Sequence, residues 1–216
     1  NIFDNFKAHG KSVKSLPFLL LYYKKSMQGF GVVTPDLRNP LRLLNVTNFF
    51  KGSGLQIFEN LINKGAIVNC IQAINSEGRA RSFYDNLNNW AQEQGKKGLG
   101  YMNFENLEAK GPLAKNFNPE KLKSMLQENN FNKKDGLLFI CDMPHEAYDF
   151  GSKVIAKAGD ELELIDKNKF EFCWIVDYPM YEKDPATGKV DFSHNPFSMP
   201  QGGMDALIEN DPIDIL

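Results

Sequence analysis

Between residues 55 and 159 the apolar residues of this chain change period repeatedly, and that alternation limits it to a mixed helix-and-sheet fold. Residues 55–61, with Ile57 and Phe58, fit a helix ending near Gly65. Ala66-Ile67-Val68-Asn69-Cys70-Ile71 is apolar and rich in β-branched side chains, so it predicts a strand. Phe83, Leu87, Trp90 and Ala91 recur at i, i+4, i+7 and i+8, the apolar stripe of a helix that Gly95 would end. A strand follows at 99–104. Asn118 then Pro119 reads as an N-cap with proline at the first helical position, with Leu122, Met125 and Leu126 facing inward. Asp135-Gly136 is a turn, and 137–141 is a strand. Pro144 opens another helix with Ala147, Phe150, Val154 and Ile155 inward, and Gly159 is read as its stop. Nothing in these connections forces a parallel sheet, so the fold class is α+β with a mixed or antiparallel sheet.

The ends of the chain read differently. Residues 1–9 predict a helix burying Ile2, Phe3 and Phe6, and His9-Gly10-Lys11-Ser12 its end. Residues 16–23 predict a strand, and 24–30 a short helix closed by Gly29 and Gly31. Two prolines with turn-forming partners, Thr34-Pro35-Asp36 and Asn39-Pro40, make a connector. Residues 170–181 are apolar apart from Glu171 and Asp177; Asp184-Pro185-Ala186-Thr187-Gly188 is a turn cluster, and Val190 to Phe192 returns. That predicts a β-hairpin belonging with the N-terminal flank. The expected organisation is a unit at 43–165 inserted between flanks at 1–42 and 166–216.

Composition excludes several classes. With 25 Lys+Arg against 27 Asp+Glu, the net charge of -2 rules out a strongly basic nucleic-acid binder, and the lysines of the middle unit are too scattered to outline an RNA surface. No apolar run approaches the roughly 20 residues that span a bilayer; the longest, 18–23, meets Lys24-Lys25, so no membrane is expected. A chain of 216 residues buries roughly 70% of its unfolded surface and needs no disulfide or metal to hold a core. Cys70, Cys141 and Cys173 form neither a CxxC pair nor a disulfide framework, which favours a reducing, cytoplasmic setting with all three as small core residues. Asn1 in place of Met and the abrupt Ile215-Leu216 end suggest an internal fragment.

Most motifs fail when tested against the chemistry they would need. Lys51-Gly52-Ser53-Gly54 lacks the phosphate-loop spacing, and Gly98-Leu99-Gly100 has no third glycine and precedes a strand. His9, His145 and His194 share no metal-ligand spacing, and His145 reads as a solvated first-turn residue. Trp90 and Trp174 read as core aromatics. Asp177 could be a catalytic carboxylate or a turn cap; the cap is favoured. His194, at the hairpin exit, could hydrogen-bond a small polar ligand, although a lone histidine is more often structural.

Phe172-Cys173-Trp174-Ile175-Val176-Asp177-Tyr178-Pro179-Met180-Tyr181-Glu182, followed by Phe192-Ser193-His194-Asn195-Pro196-Phe197-Ser198, closely resembles bacterial-type aspartyl-tRNA synthetase. Pro35-Asp36-Leu37-Arg38-Asn39-Pro40, Lys97-Gly98-Leu99-Gly100-Tyr101 and Lys110-Gly111-Pro112-Leu113-Ala114-Lys115 match in order, so the likeness covers nearly the whole chain. The resemblance implies a GAD-type α+β domain inserted into a class II synthetase domain built on an antiparallel sheet. It implies a cytoplasmic homodimer that uses ATP and Mg2+ to form aspartyl-adenylate and passes aspartate to tRNA. It places His194 on the L-aspartate substrate, with Ser193 and Asn195 as neighbours. No catalytic, cofactor-binding or metal-ligating residue is expected within this chain.

The charge on an adenylating phosphate must meet fixed cations, and class II enzymes resemble one another in using an arginine after Phe and another near the end of the domain. The arginines here are Arg38, Arg42, Arg79 and Arg81; none follows Phe. Lysine does not replace a planar clamp, so the chain by itself is expected to be inactive and to bind no ATP or Mg2+. It departs from the family at Leu20-Leu21-Tyr22-Tyr23, where an Arg precedes Pro-Tyr, and at Val32-Val33-Thr34, where Ser-Asp-Lys is usual. The competing reading is a stand-alone, non-catalytic GAD-type interaction or RNA-binding module, which has no need of the segments at 174–179 and 194–197.

Overall fold

The computed structural model describes residues 10, 12–13, 16–105, 108–184, 187–193 and 199–216; the helix expected at 1–9, with His9, lies outside them. In chain order the elements begin with β1 (Ser12–Val13), β2 (Leu19–Tyr22) and α1 (Tyr23–Phe30). The middle holds β3 (Leu44–Asn45), α2 (Thr47–Phe50), α3 (Gln56–Ile62), β4 (Ile67–Ala73), α4 (Arg81–Glu93), β5 (Gly100–Glu105) and β6 (Glu108–Lys110). It continues with α5 (Pro119–Glu128), β7 (Gly136–Asp142) and α6 (Pro144–Glu161). The chain then runs through β8 (Lys169–Phe170), β9 (Cys173–Val176), β10 (Tyr181–Lys183), β11 (Val190–Phe192) and α7 (Gly203–Glu209).

The middle strands form one antiparallel sheet in the order β3-β4-β7-β5-β6. Side chains alternate between its faces, and both faces are covered. Val68, Cys70, Met102, Leu137 and Phe139 pack with Val46, Phe50, Phe117, Met125 and Leu126. Ile71, Tyr101, Leu138 and Ile140 pack with Tyr84 and Leu87 of α4 and with Phe150, Val154 and Ala158 of α6. This two-sided burial explains why β7 reads as a continuous apolar run and why β4 is apolar apart from Asn69 and Gln72. The α+β expectation holds. So does the cap of α5, where Asn118 Oδ1 accepts from the backbone of Glu120 at 2.9 Å and Lys121 at 3.2 Å.

Gly159 does not end α6, which continues to Glu161. Its role is close approach: a Cβ there would run into the Asn39 amide. Asn39 is buried; its Nδ2 donates to Ile155 O at 2.8 Å and its Oδ1 accepts from Leu41 N at 3.0 Å. The connector is thereby fastened along α6. Gly31, which caps α1 at φ 72°, lies against the Tyr148 carbonyl in the same way.

The flanks do pair with each other. β1 lies parallel to β8, and β2 parallel to β9 with Leu20 opposite Trp174 and Tyr22 opposite Val176. The hairpin is narrower than the sequence suggested: only β10 and β11 form it, antiparallel. Residues 170–181 are not one strand, because Asp177 takes a left-handed conformation (φ 57°) and Pro179 has no N–H to give a ladder. Trp174 is not a core aromatic; it is 65% exposed. Among the described residues β9 bonds only to β2, and none of the described elements covers the face that carries Leu20, Tyr22 and Trp174. Trp90 does join the core, stacked on Phe150 with ring centroids 5.9 Å apart.

Cys70 is buried as expected, while Cys141 and Cys173 are half-buried, and all three are free thiols. Burial pushes the Cys70 thiol well up, and burial followed by the nearby Asp142 charge pushes Cys141 up to about 11.

Candidate functional site

Of the residues singled out for ligand contact, Ser193 lies at the turn at 177–180, between β9 and β10. Asp177 tolerates its left-handed backbone, as short polar side chains do. It does not cap its own turn: its carboxylate accepts from Gln201 Nε2 at 2.9 Å. Ser193 leaves β11 with its N–H donating to Met180 O at 3.0 Å and its hydroxyl donating to the Pro179 carbonyl. Met180 N in turn donates to Ile215 O at 2.8 Å, and Gln201 N to Leu216 O at 2.7 Å. One turn thus holds a residue on each side of 194–198 and ties in the last residues of the chain. His194 and Asn195 lie outside the described residues. Of the three residues expected at the ligand, the structure places Ser193 alone. Gln201 escaped the sequence reading because no local pattern marks an amide that reaches across to a turn in another segment.

The neighbouring polar groups are structural. Tyr23 and Tyr178 rings lie 5.1 Å apart; burial, with Glu182 second, raises the Tyr23 phenol. Arg42 Nη1 donates to the Asn39 and Leu41 carbonyls, each at 2.7 Å, and its guanidinium lies 4.1 Å from the Phe30 ring centroid. Burial lowers the Arg42 pKa against the opposing pull of Glu171. Arg38 forks onto Asp36 at 2.8 and 2.7 Å, and these hydrogen bonds hold the Asp36 carboxyl below its ordinary range. His145 is exposed in the first turn of α6. Among the described residues no three His, Cys, Asp or Glu side chains gather as a metal-holding group, and no helix is long and apolar enough to cross a membrane.

Residues 58–150, which contain most of the five-stranded sheet and its helices, match the GAD domain family. The chain as a whole matches aspartate–tRNA(Asp/Asn) ligases. It is 46% identical over 214 residues to that of Paramagnetospirillum magneticum, covering 99% of this chain and 24% of the relative. For Zymomonas mobilis the identity is 42% over 215 residues (100% of this chain, 36% of the relative), and for Acidiphilium cryptum 45% over 206 (95% and 35%). The chain is thus similar to these ligases along nearly its whole length, and it spans between about a quarter and just over a third of their length.

Proposed function

We propose that this chain supplies the GAD domain and two flanking pieces of an aspartate–tRNA ligase, with the inserted unit at 43–165 between flanks 1–42 and 166–216. The observation that carries the reading is the similarity to ligases across 95–100% of the chain, flanks and unit alike. A free-standing GAD module would account for 58–150 but for neither flank. In the complete enzyme, a cytoplasmic homodimer, aspartate is activated with ATP and Mg2+ and then esterified to tRNA. His194 contacts the aspartate, with Ser193 and Asn195 beside it.

The chain's own residues do not fit the nucleotide half of that chemistry. Arg38 and Arg42 are committed to Asp36 and to backbone carbonyls, and Arg79 and Arg81 lie in the inserted unit. The grip on the phosphates and Mg2+ is therefore assigned to residues outside 1–216. Aspartate-dependent ATP–pyrophosphate exchange tests this in two arms. The chain 1–216 alone should give none, and turnover would refute the assignment. In the full-length enzyme His194→Ala should raise the aspartate KM at least tenfold; an unchanged KM would remove His194 from the substrate site.

A further inference from the structure

Helix α1 touches both the inserted unit and the turn at 177–180. Its C-terminal end is seated on α6. Gly31, which closes the helix at φ 72°, donates its N–H to Met27 O at 2.9 Å. It lies so close to α6 that a Cβ would overlap the Tyr148 carbonyl and press on Ser152 N. Two further bonds hold that end. Leu43 N donates to Gly29 O at 2.8 Å, and the buried Ser26 hydroxyl donates to Val32 O at 2.7 Å. Phe30 is buried against the Arg42 guanidinium, which is itself bonded to the Asn39 and Leu41 carbonyls.

The N-terminal end of α1 meets the turn. The rings of Tyr23, its first residue, and Tyr178 are tilted by 52° with their centroids 5.1 Å apart. Tyr178 stands between Asp177, which is held by Gln201, and the Pro179 and Met180 carbonyls, which receive the hydroxyl and the N–H of Ser193. The same end is fixed a second way: β2 leads directly into α1 and pairs with β9, which leads into the turn. Backbone bonds lock each turn of a helix onto the next, so the eight residues of α1 move as one body roughly 12 Å long. A site is held only as well as the rigid elements behind it. We propose that α1 is a strut, anchored on the inserted unit at Gly31, through which Tyr23 sets the position of the turn beside the aspartate site. Tyr23 is a positioning residue that acts through Tyr178, and the inserted unit supports the amino-acid pocket from a distance. This rests on the ligase reading, which puts aspartate next to Ser193.

The test follows ATP–pyrophosphate exchange in the full-length enzyme, with the KM for aspartate and the KM for ATP measured separately. Tyr23→Ala should raise the aspartate KM about tenfold, within the range of couplings carried by packed side chains, and leave the ATP KM unchanged. Tyr23→Phe, which keeps the ring, should restore the aspartate KM. Gly31→Ala disturbs the far end of the strut and should raise the aspartate KM about threefold. Tyr23→Ala added to Tyr178→Ala should raise it no further than Tyr178→Ala alone, because both remove one contact. Leu137→Ala, on the sheet face turned away from α6, should leave the aspartate KM unchanged at a temperature where the enzyme is folded. If Tyr23→Ala does not fold, Tyr23→Leu takes its place with the same expected direction. An unchanged aspartate KM in the Tyr23 and Gly31 variants would overturn the strut. So would a rise in both KM values that Leu137→Ala reproduces, which would mean general loosening. Wild-type enzyme without aspartate-dependent exchange would instead defeat the ligase reading itself.

Discussion

The middle unit and the flanks use similar strand sequences to opposite effect. β7, Gly-Leu-Leu-Phe-Ile-Cys-Asp, sits between two partners with helices on both faces, and Leu137, Leu138 and Phe139 are almost wholly buried. β9, Cys-Trp-Ile-Val, is as apolar, yet it has one partner and leaves Trp174 in solvent. What separates them is cover. Parallel pairs are found almost always inside larger sheets with both faces packed, so the flank ribbons are the part of the chain that depends on further packing.

The comparison can be broken most forcefully in the core. Leu138→Ala should cost about 2–5 kcal/mol by urea unfolding of the chain, the range for removing a fully buried leucine side chain. A loss below about 1 kcal/mol would mean that stability does not reside in the covered sheet. Asn39→Ala attacks the join between the regions. It leaves the buried Leu41 N–H without an acceptor and should cost about 1–3 kcal/mol, with faster hydrogen exchange at Leu41.

The half-buried Cys141 sharpens the contrast through pH. Its thiol is raised from 9.0 to about 11 in the folded chain, so the unfolded chain loses this proton first. Its contribution is complete below pH 9 and declines as pH rises toward 11. Cys141→Val should lose that part of the alkaline slope; identical slopes for the two proteins would contradict the assignment. The smallest effect belongs to Trp174→Ala, expected to change the stability of this chain by no more than about 0.5 kcal/mol, as for other exposed positions. The same substitution in the full-length enzyme should cost several times more if the rest of the protein packs on β9.

Helices with a local start signal and a clean period, such as α5 behind Asn118-Pro119, could be read directly from the residues. So could β4 and β7, since burial on both faces leaves a run that is apolar throughout in 137–141 and broken only by Asn69 and Gln72 in β4. The misreadings share a cause: each depended on a partner distant in sequence. Gly159 looked like a helix stop because Asn39, which needs its space, lies in the connector. Trp174 looked internal because composition reports affinity for a core and not whether a core is present. At the candidate site, resemblance named His194, Ser193 and Asn195, whereas the Asp177–Gln201 link and the contact of Tyr23 with Tyr178 needed the folded chain.

The parallel register of β2 with β9 has a kinetic consequence. Parallel neighbours require a crossover, and here the crossover is everything between Tyr22 and Cys173. While that stretch is a random coil, closing so long a loop is entropically unfavourable. Once it has folded, its two ends are already near each other and the remaining search is short. The ribbon should therefore assemble last, after the domain threaded between its strands, and a ribosome releasing this polypeptide would deliver its pieces in a workable order.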